Sequence, residues 1–347
     1  MNIIAIILMF GVIVFVHEFG HFLFAKLSHV AVTEFSIGMG PAIAKWNKKE
    51  TTYALRALPI GGYVIMEGEA EKSDNPNAIT NKSILSRFTV MFAGPFFNFI
   101  LAFGLSIILL SFVPLDPAEI SEVQKNSAAE TAGLESGDVI TEINGGRIYN
   151  FREISLYRLS HDPSVPVKIK YVRDKKSFYT TLTQKKDTAT GKYYFGITCN
   201  ERKARNFAEQ LRYSYYEVRF QVKSTIYSLK ILFSGKGSKD DLMGPVGIGN
   251  MMNDVINESK KSGGGFGIVL LNIINFTILI SANIGVMNLL PVPALDGGRI
   301  LFLALEAVMG KPVPKKYETT VTAVFMIMLL LLVIFVFFND IGNLFQK

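Results

Sequence analysis

The sequence holds a single cysteine, Cys199, among 347 residues. No internal disulfide can form, and no cluster of thiolates can hold a metal. Histidine is scarce as well, with four in the chain, so a histidine-based site has few members to draw on. Charged residues make up only 19% of the total, against 49% hydrophobic and 12% aromatic, a balance that excludes a disordered chain. Internal repeats and low-complexity tracts are missing. The N-terminus lacks a basic leader and an A-x-A-like cleavage site, so its apolar run reads as a retained span and not as a signal peptide. The net charge is +7, yet no basic stripe is interleaved with stacking aromatics, which argues against a nucleic-acid partner.

The apolar residues are gathered in four blocks, Ile3 to Leu27, Phe88 to Val113, Phe266 to Leu290 and Val321 to Phe338. A bilayer core of about 30 Å needs roughly 20 apolar residues, so each block is a candidate membrane span. The loop after the first span carries Lys45, Lys48, Lys49, Arg56, Lys72, Lys82 and Arg87, and the loop before the last carries Arg299, Lys311, Lys315 and Lys316. By the positive-inside tendency both loops face the cytoplasm, which puts both termini and the long polar region between spans two and three outside.

The chain therefore reads as an α-helical multi-pass membrane protein with four transmembrane helices, divided at 1–114, 115–198, 199–265 and 266–347. Within the first part, Val32 to Met66 alternates in places and is punctuated by Gly38, Gly40, Pro41, Pro59, Gly61 and Gly62. Such a pattern predicts short strands and turns, either re-entrant at membrane depth beside the first helix or as a surface hairpin. The second part shows strand-like runs at Glu119 to Val123, Val139 to Ile143, Val167 to Val172 and Phe178 to Leu182, with helices at Ala128 to Ala132 and Phe151 to Ser160. It is an inserted α+β module. Ala204 to Phe233 reads as a helix whose Phe207, Leu211, Tyr215, Val218, Val222 and Ile226 form a packing stripe. Gly235 to Asp241 and Ser259 to Gly265 read as linkers.

Chemistry concentrates in the first span, where His17, Glu18, Phe19, Gly20 and His21 form an H-E-x-x-H pattern. Residues four apart lie on one helix face, so both imidazoles can reach one metal, and Glu18 stands beside them as a general base toward water. Two hydrogen-bonded histidines that merely stabilise helix packing are the bland alternative, but ionisable groups inside a span are costly and usually functional. A catalytic zinc needs a third protein ligand. His29 lies beyond the helix and His161 belongs to the outward module. Asp296, at the inner end of the third span, shares the depth of His17 and His21. Zinc suits two imidazoles and a carboxylate, though Co²⁺ or Mn²⁺ also fits such a set.

Together these residues resemble the site-2 protease family of intramembrane zinc metalloproteases, in its bacterial form with one PDZ domain. The resemblance runs through His17-Glu18-Phe19-Gly20-His21, Pro59-Ile60-Gly61-Gly62-Tyr63-Val64, Ala93-Gly94-Pro95 with Asn98, Gly244-Pro245-Val246-Gly247 and Asn288 to Gly297. It implies that His17, His21 and Asp296 hold Zn²⁺, that Glu18 is the catalytic base, and that Asn288 and Pro293 help to hold substrate. Ser127 to Gly145 resembles the core motif of a PDZ domain, which in the family filters substrates by their ectodomains. The implied partners are the lipid bilayer and single-span substrates, either membrane-held regulators such as anti-sigma factors or signal-peptide remnants. The implied setting is regulated intramembrane proteolysis in the bacterial inner membrane, with the active site near the cytoplasmic face.

Two other functions compete. A membrane-anchored PDZ scaffold with a structural metal would need a fourth ligand, and none is evident. A metal transporter would need polar residues along several spans, whereas Phe97 to Val113 has only Asn98, Ser106 and Ser111, and Phe325 to Phe338 has none.

Overall fold

The computed structural model describes residues 2–69, 71, 73–186, 191–234, 244–261 and 265–345. Along the chain, α1 (Asn2–Leu27) leads into two long strands, β1 (Val32–Lys48) and β2 (Thr51–Met66), and then α2 (Ile84–Leu109). A run of short elements follows: β3 (Ile120–Val123), α3 (Ala128–Thr131), β4 (Val139–Ile143), β5 (Gly146–Arg147), α4 (Phe151–Ser160), β6 (Val167–Arg173), β7 (Lys176–Leu182), β8 (Lys185–Lys186), β9 (Tyr193–Tyr194) and β10 (Ile197–Cys199). The chain ends with α5 (Phe207–Phe233), α6 (Pro245–Lys261), α7 (Phe266–Asn288), α8 (Asp296–Met309) and α9 (Lys315–Phe345). It divides into two compact units, 1–105 with 229–347, and 106–228.

In the first unit four helices are long and apolar enough to cross a membrane: Ile4–Leu27, Ile84–Leu109, Phe266–Asn288 and Lys315–Gly342. Each agrees with one of the four apolar blocks, with ends shifted by a few residues. Two apolar clusters hold this unit. One packs Met9 and Ile13 of α1 against Met252 and Ile256 of α6 and Phe276 and Ile280 of α7. The other joins Ala25, Val32, Met66, Val90, Met91 and Leu303.

The β1–β2 pair is more than a hairpin, because each long strand folds back on the other. Residues 34–37 pair with 62–65 on one flank and with 52–55 on the opposite flank, and 52–56 pair in turn with 42–47. The resulting edges are 62–66 and 42–48. Among the described residues no further strand pairs with 62–66.

The second unit is built on the four-stranded order β5-β4-β6-β7 and the β10-β3 pair. Its core gathers Ile120, Leu134, Ile140, Ile143, Ile169 and Phe195. Ser127 caps α3 through Glu130 N–H, and Asn150 caps α4 through Glu153 N–H.

Three expectations need correction. Half of the packing stripe assigned to α5 faces outward: Phe207, Tyr215 and Ile226 are exposed and Leu211, Val218 and Val222 are half-buried, while Glu209, Ser214, Glu217 and Gln221 are buried. The reason is pairing, since Arg152 and Glu153 on α4 meet Glu217 and Arg219 of α5. The second is the linker at Ser259 to Gly265, which begins inside α6; the linker at Gly235 to Asp241 lies outside the described residues. Third, Asp296 does not end a span. The third candidate span, α7, stops at Asn288, and Asp296 opens the separate helix α8.

Candidate metal centre

The helix α1 is apolar along nearly its whole length, and its polar group sits toward its C-terminal end. His17 and His21 are 9% and 6% exposed, one turn apart on one face. Each ring is held at its Nδ1. His21 Nδ1 lies 2.8 Å from the Val90 carbonyl, which can only accept, so His21 donates there and leaves Nε2 with its lone pair. His17 Nδ1 faces the side-chain amide of Asn98 at 3.2 Å.

Two glycines make this geometry sterically possible. A Cβ on Gly20 would lie 2.6 Å from the Ala93 carbonyl oxygen, so α1 and α2 touch backbone to backbone. A Cβ on Gly94 would lie 2.2 Å from His21 Nε2, inside the space the imidazole occupies. The Ala93-Gly94-Pro95 motif thus acquires a steric reason.

Asp296 arrives from the other end of the unit's sequence. After α7 the chain turns through 289–295, and Leu295 precedes the first helical residue, Asp296. Gly297 and Gly298 let this turn lie back on α8, since their Cβ atoms would stand 2.2 Å from the Leu290 carbonyl oxygen and 2.3 Å from that of Val292. Asp296 Oδ2 is thereby placed 3.2 Å from His17 Nε2 and 3.3 Å from His21 Nε2. The two Nε2 atoms are themselves 3.2 Å apart.

These three spacings test the fit of a metal. Zinc bonds of about 2.0–2.1 Å in a tetrahedron put neighbouring donors about 3.3 Å apart. The observed triangle of 3.2, 3.2 and 3.3 Å matches one face of that tetrahedron and leaves a fourth position open. The three form the one group of metal-binding side chains found among the described residues. His29 and His161 are not in it.

Glu18 lines the same cavity, of about 300 Å³, as do Tyr63, Val64 and Met66 from the free strand edge. A Cβ on Gly62 would approach Glu18 Cγ to 3.2 Å, so the bare backbone there leaves the carboxylate its room. Asn288 also lines the cavity. Pro293 stands back from the cavity lining, in the 289–295 turn, where its carbonyl accepts from Thr322 Oγ1 at 3.2 Å. Sequence reasoning did not single out Glu69 and Arg299, an ion pair in the cavity lining, nor the Val90 carbonyl. A main-chain acceptor and a pair separated by 230 positions leave no local signature.

Comparison with known proteins bears on this geometry. The model of the family described as "Peptidase family M50" matches residues 5–332. A Clostridium acetobutylicum protein is 36% identical over 312 residues, covering 90% of this chain and 89% of that one. A Fusobacterium nucleatum protein is 37% identical over 358 aligned positions, covering 100% of both chains. Each bears the description "Putative zinc metalloprotease". Among solved structures, the PDZ domain of an SdrC-like protein from Listeria monocytogenes matches 24% of this chain and 87% of its own, at 28% identity and a TM-score of 0.22.

Proposed function

The chain belongs to peptidase family M50, and on that premise we propose that it is a membrane-embedded endopeptidase that cuts single-span substrates within or near their transmembrane segments. It is a zinc metalloprotease. The observation that carries the finer reading is the position of the donors: two of the three lie on an apolar helix long enough to span a bilayer, with Glu18 between them in sequence. His17, His21 and Asp296 would hold the zinc, which when bound would supply Lewis acidity toward water and toward the scissile carbonyl. The Glu18 carboxylate takes the proton of the attacking water and returns it to the leaving amine.

A peptide bond inside a transmembrane helix is already hydrogen-bonded, so it must be unwound before water reaches it. The unpaired edge 62–66 lines the cavity beside Glu18 and offers backbone partners to an extended substrate. Asn288 supplies an amide to a backbone group released by unwinding, which would otherwise cost several kcal/mol in apolar surroundings. Pro293 acts indirectly, by shaping the turn that delivers Asp296. Membrane-held regulators and signal-peptide remnants are the substrates this arrangement suits, and the PDZ-like module screens them by ectodomain. The lysines and arginines of the two loops support a bacterial inner-membrane topology with both termini outside and the centre near the cytoplasmic face.

The test is Glu18→Gln, which keeps the ligands and removes the base. We expect it to retain zinc and to lose cleavage of a membrane-embedded reporter by at least about 1,000-fold. Undiminished cleavage would remove the reading. A membrane-anchored scaffold with a structural metal predicts no cleavage by the wild-type chain either.

A further inference from the structure

We propose that Asn98 is a positioning residue of the metal centre: its side-chain carbonyl accepts the Nδ1 proton of His17 and holds that imidazole as the tautomer whose Nε2 is free for the metal. The inference rests on the proposed zinc site and adds a member to it.

Asn98 lies within the apolar helix α2 and is wholly buried. A primary amide there is costly unless it is bonded. Its backbone carbonyl accepts from Ser281 Oγ of α7 at 2.8 Å, which fixes where the residue stands between α1 and α7. Its side chain meets His17 Nδ1 at 3.2 Å through Nδ2, while Oδ1 has no partner. A half-turn about the last side-chain bond exchanges these two atoms without moving anything else.

The far side of His17 decides between the two orientations. Its Nε2 faces Asp296 Oδ2 and His21 Nε2 at 3.2 Å each. Ligation requires a lone pair on that Nε2, so the neutral ring carries its proton on Nδ1. A proton on Nδ1 needs an acceptor, and the amide of Asn98 is the group placed to supply one. With Oδ1 turned inward, His17 donates to Asn98 just as His21 donates to the Val90 carbonyl. One helix, α2, thus orients both imidazoles, one through its main chain and one through a side chain. Partners of this kind fix ring orientation, and their loss typically costs 10–100-fold in metal affinity.

The experiment measures the zinc dissociation constant of the purified full chain in detergent, by competition with a chromophoric chelator. Cobalt substitution gives a second, spectroscopic readout of the ligand field. Asn98→Leu should weaken zinc about 10–100-fold and alter the cobalt bands. Asn98→Asp, which keeps an acceptor and loses the donor, should stay within about threefold of wild type. Ser281→Ala, which touches only the backbone of Asn98, should also stay close to wild type. Asn98→Ala replaces leucine if the larger apolar side chain lowers the melting temperature of the metal-free protein. Wild-type affinity in Asn98→Leu, or equal losses in Asn98→Asp and Asn98→Leu, would overturn the proposal. Absence of zinc from the wild type would instead overturn the site itself.

Discussion

Buried and half-buried carboxylates occur in both units of this chain, and the partners of Asp296 differ in kind from the arginines and lysines that meet most of the others. In the 106–228 unit, Glu153 is fully buried and meets the Arg219 guanidinium and Lys223 Nζ, the latter at 2.8 Å. Glu217 meets Arg152, which also binds Asp116 at 3.0 Å, and Glu209 meets Arg202 at 2.8 Å. Each of these acids meets at least one cation, with Glu217 and Asp116 sharing Arg152. In the other unit, Asp296 meets only the two imidazoles, and among the described residues no lysine or arginine pairs with it or with Glu18. Burying charge is tolerated when it is paired and hydrogen-bonded. On the proposed reading a metal cation would complete the carboxylate beside the two imidazoles, whereas one clasped by guanidinium is already complete. Asp340 shows a third solution, accepting from Gly244 N–H at 3.2 Å and Gly247 N–H at 2.8 Å at the start of α6.

The contrast can be broken from either side. The largest effect should come from Gly94→Ala, because the added carbon must displace the His21 ring. We expect zinc binding to fall by more than about 100-fold, comparable to losing a ligand's orientation altogether, with the melting of the 106–228 unit unchanged. Retained zinc would mean that the ring has another place to go. Glu153→Gln attacks the paired side. It leaves Arg219 and Lys223 without their acid, and since their side chains are 28% and 39% exposed the cost should be about 2–3 kcal/mol, below that of a fully buried pair. Thermal unfolding checks this, and zinc content should not move. A joint loss of zinc would erase the distinction between the two kinds of site.

The smallest effect concerns pH. The hydrogen bond from Arg202 holds the Glu209 carboxyl down to about 2, against the opposing pull of burial. A depressed folded-state value means that the stabilisation is complete above the ordinary carboxylate range and is lost as pH falls from about 4.5 toward 2. Glu209→Gln should flatten the acid limb of the stability profile in that window. An unchanged limb would show that Arg202 contributes no pH-dependent stability.

How much of this was legible in the sequence follows from the range of each interaction. His17 and His21 were legible because their spacing is local, and the four long apolar helices because hydropathy is a property of a segment. Asp296 could be brought to them through loop charges alone, although its place at the head of α8 could not. The strands and helices of the inserted module emerged close to expectation, with strand Val139–Ile143 and helix Phe151–Ser160 unchanged. The face of α5 was half misjudged because its Glu217 and Arg219 find partners 65 and 66 positions away on α4, and hydrophobic periodicity cannot see ion pairs across that distance. The double pairing of residues 34–37 escaped for a similar reason, as a strand's alternation does not say how many neighbours it has. The glycines were visible as a motif. Only the packing shows that Gly94 makes room for the His21 ring and Gly20 for a backbone.

The most direct test of the central claim is zinc-edge X-ray absorption on the purified Glu18→Gln protein, in which the proposed ligands are untouched and the proposed base is removed. The account predicts one zinc per chain with two imidazole nitrogens and a carboxylate oxygen at about 2.0–2.2 Å. A spectrum unchanged by Asp296→Ala, or a zinc with fewer than two imidazoles, would contradict it.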